Sequence, residues 1–331
     1  MTDKVSWFIK LWQKETPDVF GLGECGPLPG LSTDAVPELE TVISAVVEKI
    51  NTDGIRALTE IPAIVPPGFP AIRFAVETAF LDLRNGGKRI IFDNDFLRGG
   101  TIPINGLIWM GDLDFMMHQI NEKVSQGFRC LKLKVGGLDF DREYLVLEYI
   151  RKRYFREDLT IRLDANGAFS SADALPKLKE LARLHIDSIE QPVKPGEPVM
   201  EELCRVSPIP VALDEELIGV ELQLSKEKLL DRLRPPFIIL KPTLHGGLHG
   251  AAEWITLAED RNIGWWITSA LESSIGLNAI CQFTANYSVT RPQGLGTGMI
   301  YQNNFQSPLK VENGKIFIDP DRSWPDDFRT D

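Results

Sequence analysis

From Thr101 onward the sequence repeats one alternation, a short apolar run followed by a longer amphipathic stretch. The runs are TIPINGLIW, RCLKLKVGG, TIRLDANGA, IDSIEQP, IPVALDEE, FIILKP, IGWWITSALESS and PQGLGTG. With Lys132, Asp164, Glu190, Asp214, Lys241 and Ile267 as markers, successive steps are 24 to 32 residues, the length of one βα unit. Eight such runs within about 200 residues predict an α/β chain folded as a (β/α)8-type barrel. An open doubly wound sheet would be expected to carry a Gly-rich dinucleotide fingerprint after its first strand. GLGTG lies near the end of the chain and does not match G-x-G-x-x-G.

The first hundred residues read differently. VSWFIKLWQ is expected as a strand, VFGLGECGPLPGLS as a Gly/Pro-rich loop, and AVPELETVISAVVEKI as a helix capped by Thr33 or Asp34. IPAIVPPGFP reads as an irregular link, and AIRFAVETAFLDLRNGG as a second helix, apolar nearly all round and ended by Asn85-Gly86. We therefore expect an α+β capping domain over 1–100, completed by about 301–331, and a barrel carrying the active site over 101–300.

Side chains alternate along a strand, so residues two apart share a face. In LKLKV, Leu131, Leu133 and Val135 share one face while Lys132 and Lys134 share the other. Arg162 and Asp164 likewise oppose Ile161 and Leu163, Asp214 goes with Ala212, and Lys241 with Ile239. Helices cover the outside of a barrel, so the apolar face should look outward and the charged face inward. Each charge falls at the C-terminal end of its run, the end where barrel active sites are built. Lys132, Lys134, Arg162, Asp164, Glu190, Asp214 and Lys241 should then converge on one mouth.

Burying such charges separately would cost several kcal/mol each, so they should neutralise one another or a bound ion. Asp164, Glu190 and Asp214, from three successive strands, make a hard oxygen site suited to Mg2+, with Mn2+ as the alternative. Histidine is missing at these positions, which argues against zinc. An ammonium beside a divalent cation and other cations should have a lowered pKa and can serve as a general base. The expected chemistry is proton abstraction next to a carboxylate.

Taken singly, each of these charges has an ordinary explanation as a solvated strand end or a turn residue; the shared phase of seven carries the argument. His245 and His249 sit in HGGLHG, read here as a Gly-rich loop rather than a metal pair. Ser273 and Ser274 lack His and Asp partners for a nucleophile, but their backbone N–H groups at a helix start could hold a substrate carboxylate. Trp265 and Trp266 are expected in packing, and Asp112 and Asp114 as helix N-terminal charges.

Composition bounds the rest. A net charge of −11, from 47 acidic and 36 basic residues, argues against a nucleic-acid surface. No apolar run approaches the roughly 20 residues of a membrane span, and MTDKVSWFIKLWQKE does not read as a signal peptide. The four cysteines, Cys25, Cys130, Cys204 and Cys281, are widely spread and expected as free thiols in a reducing cytoplasm. The expected partner is a small-molecule carboxylate, with no nucleic acid or membrane; monomer and homo-oligomer both stay open.

As a set, KLK, LDANGAF, IEQP, LDEE and LKPTLHGG resemble the muconate-lactonizing branch of the enolase superfamily, over essentially the whole chain. That resemblance implies the enolase-like modified TIM barrel with its capping domain. GLGECGPLPGLS, KPTL and SALESSIG are most similar to the o-succinylbenzoate synthase family of menaquinone biosynthesis, in which the first would be a loop over the substrate. The implied reaction is dehydration of 2-succinyl-6-hydroxy-2,4-cyclohexadiene-1-carboxylate to o-succinylbenzoate. Lys134 would take the α-proton, Lys241 would stabilise the anion by charge and cation–π contact, and Lys132 would assist Lys134. Asp164, Glu190 and Asp214 would bind Mg2+, and Arg162 would tune the site. N-succinylamino acid racemases share the lysines. Dipeptide epimerases commonly carry an acidic D-x-D pair after the eighth strand, and GLGTGMIY has no acid.

Overall fold

The computed structural model of the chain describes residues 4–109, 111–296, 301 and 303–325. Residues 297–300 of the GLGTGMIY stretch, and those beyond 325 in the C-terminal segment, lie outside the described residues.

Two strands open the chain, β1 (Trp7–Gln13) and β2 (Thr16–Cys25), paired antiparallel from Trp7 opposite Cys25. The Gly-rich stretch expected as a loop is thus half strand. Its glycines serve close packing: a Cβ on Gly21 or Gly23 would collide with the backbone carbonyls of Ala79 and Ala75. Those carbonyls belong to α3 (Pro70–Arg84), which lies directly on β2 and buries most of its length.

Helix α1 (Leu39–Asp53) begins later than expected, and neither Thr33 nor Asp34 caps it. Asp34 instead accepts the Ala71 N–H at the start of α3, 2.7 Å away. Burial pushes its carboxyl up to about 6, against the opposing pull of that hydrogen bond. The expected irregular link holds a short helix, α2 (Ile61–Ile64), whose isoleucines join β1, α1 and α3 in an apolar core separate from that of the barrel.

After β3 (Ile102–Pro103), seven strands form a parallel sheet in sequence order. They are β4 (Gly106–Ile108), β5 (Cys130–Lys134), β6 (Thr160–Asp164), β7 (Ser188–Glu190), β8 (Val211–Leu213), β9 (Phe237–Leu240) and β10 (Gly264–Ile267). The helices that follow them are α4 (Leu113–Ser125), α5 (Phe140–Arg153), α6 (Ala174–Leu181), α7 (Val199–Val206), α8 (Gln223–Leu233), α9 (Gly247–Glu259) and α10 (Ser274–Thr284).

The expected eighth strand is reduced to two bridges, Gln293 with Ile104 and Gly294 with Thr268. Pro292 has no N–H to offer a ladder, and the Gln293 side chain substitutes by accepting the Ile267 N–H at 2.7 Å. Two strands near the C-terminus, β11 (Leu309–Glu312) and β12 (Lys315–Ile318), form a hairpin that pairs with β3. Just before it, the Phe305 ring meets Phe8 of β1 edge-on at 5.2 Å.

Leu131, Leu133, Ile161, Leu163, Ile189, Val211 and Ile238 lie in the main core between sheet and helices. Ala212, Ile239 and Trp266 form a separate cluster on the inner face. The two faces of the sheet are therefore apolar outside and mixed inside, as the alternation requires. All four cysteines are free and buried. No helix among the described residues is long and apolar enough to cross a membrane.

Candidate active site

Register brings the charged ends together. Lys134 sits opposite Asp164 across β5 and β6, and Asp164 opposite Glu190 across β6 and β7. Neighbouring strands lie about 4.8 Å apart, so three ionisable side chains in one row stand within reach of common partners. The Lys134 ammonium donates to Asp164 at 2.7 Å and to the Asn166 side chain. The Lys132 ammonium lies between two carboxylates, 2.8 Å from Asp164 and 2.7 Å from Glu190. Lys241, which follows β9, pairs with Asp214, which follows β8, and Asp214 and Glu190 stand close enough to influence each other electrostatically. The contacts form two groups, Lys134–Asp164–Lys132–Glu190 and Lys241–Asp214, coupled to each other by charge.

The charges decide one another's protonation. Burial alone would lower Lys132 and Lys241, but the facing carboxylates outweigh it and hold both above the ordinary lysine value. Asp164, Glu190 and Asp214 stand closer to these two lysines than any other cation does, and they set this direction. Burial would raise Asp164, yet Lys132 and Lys134 hold it well below the usual carboxylate range. Glu190 goes the other way, pushed well up by burial and by the Asp164 charge.

Asp214 Oδ1 and Glu215 Oε2 are buried with no hydrogen-bond partner in the structure. Buried acceptors left unpaired are costly, and this donor set is all hard oxygen, so the residues fit a divalent cation. Among the described residues no three acidic, His or Cys side chains already stand as a cage; the Lys132 ammonium bridges Asp164 and Glu190 instead.

Lys132, Lys134, Asp164 and Lys241 line a cavity of about 520 Å3 at the barrel mouth, within the usual range for small-molecule sites. Leu28 and Leu31, from the loop after β2, wall it from the cap side. Lys134 is the most accessible of the lysines, with 26% of its side chain exposed against 11% for Lys132 and 10% for Lys241.

Three expected site residues lie elsewhere. Arg162 points inward but sits lower in the barrel, outside the cavity wall. Its guanidinium stacks on Trp266 at 4.3 Å, donates to the Pro292 carbonyl at 2.7 Å and pairs with Asp187 at 3.2 Å. Two residues nearer the strand start is one layer away from the mouth. The N–H groups at the start of α10 do hold a carboxylate, but it is the chain's own. Glu24 of β2 accepts from Ser273 N at 2.9 Å, Ser273 Oγ at 2.6 Å and Gly276 N at 3.1 Å. Ser274 N goes to Asn304, and its hydroxyl to the Phe305 carbonyl.

Other residues support the site without having been singled out. Asn166, at φ 43, donates to Glu215 at 2.7 Å and links it to Lys134. Gln191 accepts the Asp214 N–H at 3.1 Å and so orients that carboxylate. His245 Nδ1 accepts the Lys241 N–H at 2.9 Å, and burial lowers its pKa to about 3, keeping the ring neutral. The Asn-Gly pair in LDANGA, a left-handed-tolerant dipeptide, was the one local signal for Asn166.

Comparisons with known proteins give the family of this fold. Residues 116–322 match the family described as "Enolase C-terminal domain-like". The chain belongs to the enolase superfamily. It is an enzyme of that superfamily, similar over nearly its full length to a lyase. The o-succinylbenzoate synthase of Desulfotalea psychrophila is 44% identical over 96% of this chain and 93% of its own length. The crystal structure of MenC from the same organism superposes with a TM-score of 0.84 at 43% identity, covering 95% of this chain and 94% of that one. The L-Ala-D/L-Glu epimerase of Bacillus subtilis superposes at 0.79 with 20% identity, covering 96% of this chain and 89% of its own, and attests the enolase fold alone. Members of the superfamily generally use a divalent metal.

Proposed function

We propose that the chain is an o-succinylbenzoate synthase, dehydrating 2-succinyl-6-hydroxy-2,4-cyclohexadiene-1-carboxylate to o-succinylbenzoate for menaquinone biosynthesis in the cytoplasm. The observation that carries the reading is the pair of lysines on separate carboxylates, Lys134 on Asp164 and Lys241 on Asp214, facing one cavity. The 44% identity to a synthase supports the substrate. Residues 1–100, with about 301–331, would act as the cap and 101–300 as the catalytic barrel.

Lys134 takes the α-proton of the substrate as the general base. The resulting electron pair expels the ring hydroxyl, and the Lys134 ammonium returns its proton to that leaving group on the same face. Water departs, the ring becomes aromatic, and the amine is restored. Lys241, paired with Asp214, faces the anionic ring from the other side as the ammonium. Lys132, fixed by Asp164 and Glu190, keeps positive potential beside Lys134. Asp164, Glu190 and Asp214 would hold Mg2+, or Mn2+, whose charge offsets that of the substrate carboxylate as negative charge builds. Arg162, Ser273 and Ser274 then act by shaping the barrel floor and the cap contact.

The same lysine pair favours a second reading. A base on each face is what an N-succinylamino acid racemase needs, and the Enterococcus faecalis hydrophobic dipeptide epimerase is 27% identical over 80% of this chain. Assaying the purified chain with both substrates and Mg2+ separates them. Turnover of the cyclohexadiene acid is expected; turnover of the N-succinylamino acid alone would overturn the first reading.

A further inference from the structure

Among the described residues, Leu271 is the one aliphatic side chain on a left-handed backbone, with φ +63. Bulky residues rarely adopt that region, and they keep it only when the surroundings impose it. Leu271 lies in the turn between β10 and α10, in the wall of the main cavity, and belongs to none of the apolar cores.

Two donors from distant parts of the chain hold its carbonyl: the Lys4 ammonium at 2.7 Å and the Tyr301 hydroxyl at 2.7 Å. The Lys4 side chain is only 2% exposed, and its nearest carboxylate, Glu24, is 4.0 Å away. An ammonium buried mainly on a carbonyl is a costly way to hold a connection. The rest of the turn is fixed as tightly. Glu272 accepts from Ala270 N at 2.9 Å, Ser269 Oγ at 2.5 Å and Thr243 Oγ1 at 2.6 Å. A turn that merely joined a strand to a helix would carry Gly or Asn here without strain.

We propose that Leu271 is a specificity-determining residue, forming with Leu28 and Leu31 the apolar wall that receives the substrate's carbon ring, and that Lys4 is the positioning residue that holds it there. This deepens the synthase reading and rests on it. The cap contributes to the site at two places: its loop supplies two leucines, and its first strand region supplies the lysine that holds the third. A compact six-membered carbon ring matches such a wall better than the flexible side chain of an N-succinylamino acid.

The test compares Leu271→Gly, Lys4→Met and Lys4→Arg with the wild-type enzyme in Mg2+. Leu271→Gly should keep Tm, because the strain is relieved, while KM for the cyclohexadiene acid rises at least tenfold and kcat stays within threefold. Lys4→Met should raise KM likewise and speed hydrogen exchange at residues 269–273. Lys4→Arg, which can still donate to the carbonyl, should stay within threefold of wild type. An unchanged KM in Leu271→Gly, or unchanged exchange in Lys4→Met, overturns the proposal, as does a joint fall of Tm and kcat with KM constant. If the wild type turns over neither substrate, the synthase reading fails separately. Calorimetric binding of o-succinylbenzoate then decides: a tenfold weakening in Leu271→Gly supports the wall, and equal binding or none sinks it.

Discussion

Lys134 and Asp214 carry opposite burdens in one site. Lys134 keeps access to the cavity, whereas Asp214 is wholly buried and has an oxygen without a hydrogen-bond partner. Lys134→Ala is expected to lower kcat by roughly 10³-fold or more, within the range of a lost general acid–base group, with far-UV circular dichroism unchanged. Asp214→Asn should act earlier, on metal binding. Calorimetric titration with Mg2+ is expected to give a clear isotherm for wild type and none for the variant. At this scale much was legible. Period-two alternation placed Lys132, Lys134, Asp164 and the row beside them on the inner face. It could not tell depth, so Arg162, on the same face as Asp164, was put at the mouth although it sits a layer below, against Trp266.

Helix α3 shows how far an element depends on its neighbours. Asp34 caps its start, Gly21 and Gly23 of β2 let it approach, and its own Glu77 reaches the N-terminus of α9, accepting the Leu248 N–H at 2.6 Å. Gly23→Ala is expected to cost at least the roughly 1–3 kcal/mol of an overpacked core, read as a drop in Tm, because the obstruction is backbone. Burial pushes Glu77 up to about 7 against the pull of the two helix N–H groups. The folded state then binds that proton more tightly than the unfolded chain, whose value is near 4.5. Its stabilising contribution is full below about 4.5 and is lost as pH rises through about 7. Wild type should therefore lose stability relative to Glu77→Gln over that window, by an amount on the order of a few kcal/mol at most, measured by urea unfolding at a series of pH values. None of these contacts is local in sequence. The capping signal at Asp34 was visible, but the helix it serves lies 36 residues downstream of it at Pro70, where its partner N–H at Ala71 appears only once the cap has folded.

At the scale of the molecule, cap and barrel meet through buried carboxylates: Glu24 on α10 and Glu77 on α9. A ligand at the mouth touches both parts, so Mg2+ with o-succinylbenzoate should stabilise the whole chain. At a hundredfold excess over Kd the gain is about 2.7 kcal/mol, read as a rise in Tm that Asp164→Asn abolishes. The repeat of apolar runs, the phase of the charges and the acidic, lysine-rich chemistry were set by the order of residues alone, because strand alternation and βα spacing are local geometric periods. Which carboxylate serves which helix was decided only by folding. So were the strand hidden in a Gly-rich stretch, the eighth strand's reduction to two bridges, and the depth of each inward charge. Each of these depends on contacts between segments tens to hundreds of residues apart, and no local period encodes that distance.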